Sequence, residues 1–118
     1  MDTRHLVFKS HPLDRDVDRA LRALADHFQA TRGALFRMCV ASGLMQLDRG
    51  VALPPTSDDA VAALQTAYIH FDDYERLRVL AFRLRLEHDD LRRRVVRLGL
   101  LSLQAATGFV ALRPSEQP

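Results

Sequence analysis

Sixteen of the seventeen basic residues in this 118-residue chain are arginine, and Lys9 is the single lysine. A GC-rich genome produces such a bias, but the chemistry is distinct: the planar guanidinium suits two-pronged contacts with phosphate and guanine. Four of the arginines cluster as Arg92-Arg93-Arg94 and Arg97, a spacing that reads first as a solvated helix face. The net charge is only +2, so charge alone does not establish a nucleic-acid partner. His5, His11, His27, His70 and His88 carry no metal-ligand spacing, and Cys39 is alone. A lone cysteine forms no internal disulfide, and on an apolar helical stripe it belongs to the core. The sequence has no Gly-rich phosphate loop, no H-E-x-x-H and no nucleophile elbow, so an enzyme is not expected and no cofactor is called for.

The elements that would position such groups come from an internal repeat. At a constant offset of 56, residues 21–47 lie over 77–103 without a gap, and ten of the 27 pairs are identical. Among them are Leu21/Leu77, Leu35/Leu91, Arg37/Arg93, Gly43/Gly99 and Leu47/Leu103. A unit longer than a solenoid repeat, present twice, points to an intramolecular pseudo-dimer. Apolar residues make up 47% of the chain, enough for one core, and no apolar run is long enough to cross a membrane. With no secretory leader in MDTRHLVFKS, a cytoplasmic protein is expected.

Each unit reads as a strand, a helix, a break and a second helix. Period-two alternation predicts strands at 5–9 and 67–71. Asp14 or Asp16 is placed to cap the first helix, whose apolar face carries Val17, Leu21, Leu24, Ala25 and Phe28. Asp72 or Asp73 does the same for Tyr74, Leu77, Leu80, Ala81 and Leu84. Thr31 is placed to cap the second helix of the first unit. The second helices carry Leu35, Met38, Cys39, Ser42 and Met45 in one unit, and Leu91, Arg94, Val95, Leu98 and Leu101 in the other. Gly43 and Gly99 at equivalent sites predict a close helix crossing. The single domain thus divides into repeat 1 at 4–47, a linker at 48–65 with a short helix over Asp58–Leu64, repeat 2 at 66–103 and a tail at 104–118. Phe109-Val110-Ala111-Leu112 is an apolar patch suited to cover the core edge.

This pattern resembles the ribbon-helix-helix family of bacterial DNA-binding proteins, which includes the Arc and methionine repressors. The match lies in Val17–Ala25 with Thr31–Arg37, and in Glu75–Ala81 with Asp90–Arg93. The resemblance implies a mainly α fold with a short two-stranded antiparallel ribbon. Both halves of the usual dimer would be fused in one chain, as in tandem TraY-type conjugation proteins. It also implies that the ribbon enters the major groove of double-stranded DNA.

On such a ribbon Leu6, Phe8, Ala67, Ile69 and Phe71 would face the helices. His5, Val7, Lys9, Tyr68 and His70 would face outward. Lys9 then donates to guanine, His5 and His70 reach bases or phosphates, and Val7 packs on a thymine methyl. The start of the second helix, Thr31-Arg32-Gly33, together with Arg4, would hold a phosphate with free backbone N–H groups. In repeat 2 the equivalent Glu87-His88-Asp89-Asp90 presents three acids to that phosphate, so DNA contact would be asymmetric. The implied role is first a transcriptional repressor or autoregulator, with self-association on adjacent sites. A conjugation accessory protein, or an antitoxin-like protein-binding module, is the alternative. A DNA reader should carry polar or basic side chains on the outward ribbon face; a protein-binding module need not.

Overall fold

The structure is a computed structural model that describes residues 5–56 and 61–112, with the backbone alone at 61–63. It is mainly helical, in the order β1 (Leu6–Asp14), α1 (Arg15–Phe28), α2 (Arg32–Asp48), β2 (Val61–His70), α3 (Phe71–Leu84) and α4 (His88–Thr107). The two strands form one antiparallel sheet. Among the described residues no helix is long and apolar enough to cross a membrane.

The helices begin and end for local reasons. The Thr31 hydroxyl accepts from the Ala34 N–H at 3.1 Å, which satisfies one of the free donors at the start of α2. Gln29 and Arg85 close α1 and α3 in the left-handed conformation, 56 residues apart. Asp14 and His70 occupy the N-cap positions of α1 and α3, but neither side chain caps. Asp16 instead accepts from the Val17 N–H, and Asp72 and Asp73 lie in the first turn of α3. Acids there complement the helix dipole.

The core sits between the sheet and the four helices. Leu13, Val17, Leu21, Leu24, Leu35, Phe36, Cys39, Val40, Leu44, Ile69, Leu77, Leu91, Val95 and Leu100 are buried in one cluster. The apolar faces read from the sequence hold in part: Phe28, Met45 and Leu84 at their ends are exposed, and so are Met38 in the middle of α2 and Phe71, which was expected to face the helices from the ribbon. Helices α2 and α4 cross closely. A β-carbon on Gly43 would overlap the Val95 backbone, and one on Gly99 would overlap the Cys39 carbonyl. The tail folds back as expected. Leu112 is buried, and the Gln104 amide donates to its carbonyl at 2.8 Å while accepting from the Ala111 N–H at 2.6 Å.

Both strands are longer than the sequence suggests. β2 begins at Val61, inside the segment read as linker, so residues 61–64 are strand rather than part of a helix. The remainder of that expected helix, with Ser57, lies outside the described residues. β1 runs on through Ser10–Asp14 before α1 starts.

Candidate nucleic-acid interface

The register of the sheet decides which side chains face outward. Leu6 pairs with His70, Val7 with Ile69, Phe8 with Tyr68, Lys9 with Ala67, Ser10 with Thr66 and His11 with Gln65. Residues directly opposite share a face. Ala67 and Ile69 are buried against the helices, and so are His11 and Leu13. Val7 and Lys9 therefore belong to the helix side. Leu6, Phe8, Ser10, Leu64, Thr66, Tyr68 and His70 belong to the other.

This reverses the expectation for β1 while keeping it for β2. Val7 is half-buried. Lys9 reaches past the edge of the core, its Nζ lying 5.4 Å from the centre of the Tyr74 ring. His5 is exposed but precedes the strand, and Arg4 lies outside the described residues. Tyr68 is 50% exposed on the outward face, and its ring meets Phe8 edge-on at 4.6 Å. His70 is half-buried where β2 passes into α3. A shift of one residue flips every side chain of a strand to the opposite face, and the five-residue run 5–9 offers little to choose between the two. The repeat itself held the missing signal. An offset of 56 carries residues 67–71 onto 11–15, which puts His11 and Leu13 at the positions of the buried Ala67 and Ile69.

The outward face consequently differs in character from a basic row. Leu64 is 69% exposed and Phe8 55%. Ser10 and Thr66 are the polar pair at the centre, with Tyr68 and His70 toward one end.

The start of α2 lies against the ribbon. A β-carbon on Gly33 would come 3.9 Å from that of Ala67, and Arg37 Nη1 donates to the Tyr68 carbonyl at 3.2 Å. The first turn of α2 holds no acid, and Thr31 and Arg32 are exposed. The start of α4 differs. Asp89 pairs with Arg92, and Asp90 pairs with Arg93 at 3.4 Å and Arg94 at 3.2 Å. Those acids are thus already engaged by guanidinium groups of the next turn.

The arginine cluster is not a solvated face. Arg92 is 8% exposed and Arg97 9%. Arg97 reaches Asp14 at 2.9 Å and Asp16 at 2.7 Å, and Arg93 reaches Asp14 at 3.0 Å. Burial alone would raise the Asp16 carboxyl, but the hydrogen bonds and charge of Arg97 hold it below its ordinary value. Arg92 Nη1 lies 2.8 Å from His11 Nδ1. Burial, with the Arg92 charge beside it, pushes His11 down to about 4. Its ring stands 4.5 Å from that of Phe36. Burial also pushes the Cys39 thiol up to about 12, which leaves it an inert core group.

No protein-family model, curated protein or solved structure matches this chain.

Among the described residues no cluster of three metal-ligating side chains exists. Lys9 and His5 are exposed as well, but the exposed polar groups on the outward face of the ribbon are Ser10, Thr66 and Tyr68, with Thr31 and Arg32 exposed at the start of α2. Neither Ser10 nor Thr66 was among the residues read from the sequence.

Proposed function

We propose that the chain is a ribbon-helix-helix module with both halves fused, and that it binds double-stranded DNA by laying β1 and β2 in the major groove, as a transcriptional repressor or autoregulator. The observation that carries this reading is the pairing of Ser10 with Thr66, 56 residues apart, at the middle of the sheet. A pseudo-twofold axis through that pair relates the two halves. The same relation holds in the core: Gln46 Nε2 donates to Ser102 Oγ at 3.1 Å, again 56 residues on.

A two-stranded ribbon fits the major groove. Hydroxyls such as those of Ser10 and Thr66 pair with more than one base edge, and an aromatic ring such as Phe8 packs on a thymine methyl. The start of α2 supplies backbone N–H groups, a helix dipole and Arg32 for a flanking phosphate. The start of α4 carries Glu87, Asp89 and Asp90, with the arginines of the next turn engaged by those aspartates, whereas the first turn of α2 has no acid, so the α4 end is the weaker phosphate site. DNA contact is then asymmetric, as a fused chain permits.

The exposed Leu64, Phe8 and Tyr68 favour a second reading, in which the same face binds protein in the manner of an antitoxin-like module. Selection from random duplexes, followed by a mobility-shift assay that includes the DNA upstream of the gene, separates the two. The DNA reading expects one enriched sequence, with protection centred on a single major groove. Failure to enrich any sequence at low salt would leave the protein-binding reading in its place.

A further inference from the structure

We propose that Asp14, Asp16, Arg93 and Arg97 form a pairing lock that makes the first half of the chain accept the second and reject a like half from another copy. The proposal rests on the paired halves of the reading above, not on DNA binding. The four side chains meet across the two halves: the acids lie at the junction of β1 and α1, and the arginines lie on α4. Asp14 is 1% exposed and Arg97 9%.

The lock occurs on one side of the pseudo-twofold axis alone. Moving by 56 residues replaces Asp14 with His70, Arg97 with Ala41 and Arg93 with Arg37, while Asp72 stands for Asp16. On that side Arg37 spends a hydrogen bond on the Tyr68 carbonyl. Two first halves together would set Asp14 and Asp16 of each copy against Arg37 and Ala41, two acids facing one cation. Two second halves would set Arg93 and Arg97 of each against His70 and Asp72. Either arrangement buries unbalanced charge, which costs far more than a matched pair returns. The glycine crossing gives no such discrimination, because Gly43 and Gly99 are identical. Nor does fusion alone: it raises the effective concentration of the halves within one chain, but leaves like-with-like contacts between copies open at high concentration. A device that penalises the wrong partner supplies what symmetric packing lacks.

The test uses two full-length variants. Asp14→Arg puts a third cation beside Arg93 and Arg97; Arg97→Asp puts a third acid beside Asp14 and Asp16. Each variant refolded alone should give little folded monomer by circular dichroism and light scattering. Refolded together, the first half of one copy meets the second half of the other with matched charge at both junctions. About tenfold more folded protein is expected, as a two-chain species of one copy each by native mass spectrometry. The lock is wrong if either variant alone is a folded monomer as stable as the natural chain, or if mixing gives no two-chain species. In the natural background, Ser10→Cys with Thr66→Cys should form a disulfide within one chain. Its absence would sink the paired-halves reading itself, whereas its presence with failed rescue sinks the lock alone.

Discussion

Gly99 rests directly on the carbonyl oxygen of Cys39, so close that a β-carbon has no room. The contact is repeated between Gly43 and Val95, at the equivalent positions. Here α2 and α4 approach backbone to backbone, and the usual cost of glycine in a helix is outweighed by that approach. Gly99→Ala is expected to lower stability by about 1–3 kcal/mol through overpacking. Gly33→Ala serves as the control, since its β-carbon would make an ordinary contact with Ala67. Thermal unfolding of the two variants checks this; equal melting temperatures would contradict it.

Asp14 accepts from both Arg93 and Arg97 with its own side chain fully buried. Asp14→Ala leaves two partly buried cations short of an acid, an expected loss of about 3–5 kcal/mol in urea unfolding. Arg22→Ala removes an exposed guanidinium that pairs with the half-buried Asp18 one turn earlier on α1. That change should cost well under about 1 kcal/mol.

His11 sets an acid limit on the fold. Its folded value of about 4 lies below the ordinary 6.5, so the unfolded chain takes up the proton first. Stability from this group is complete above pH 6.5 and falls as pH drops toward 4, by up to about 3 kcal/mol. His88 is lowered too, by burial and then by Arg92, and contributes with the same sign. His11→Leu should flatten the decline of melting temperature across that window. A decline as steep as in the natural chain would assign it to other groups.

If the ribbon reads DNA, Ser10→Ala with Thr66→Ala should weaken the preferred site by about 1–3 kcal/mol and relax its sequence preference. Arg32→Ala should weaken all sequences alike and reduce the salt slope by about one phosphate contact. Lys9→Ala should leave sequence preference unchanged, because that side chain lies over Tyr74. Competition assays at several salt concentrations measure all three. A shift of preference in the Lys9 variant would place the reading face on the other side of the ribbon.

The two helices of each unit and the Thr31 cap are local properties that the sequence alone determined; the helix expected over Asp58–Leu64 was not, because residues 61–64 are taken into the strand that pairs with β1. Spacing of Val17, Leu21 and Leu24 within a few turns already decides which stripe is buried. The glycine crossing was legible as well, because a costly residue recurs at one equivalent site. The facing of β1 was not legible in residues 5–9, where either parity offers apolar side chains. Pairing with β2, and the burial of His11 and Leu13 beyond the alternating run, decided it. The arginines of α4 show the same limit more strongly. Along the chain they neighbour only Asp89 and Asp90, so they read as a solvated helix face. Asp14 and Asp16 stand about eighty positions away, and folding alone brings them within 3 Å of Arg97. Whether a charge is solvated or paired depends on what the other half of the chain places beside it, and that is a property of tertiary structure.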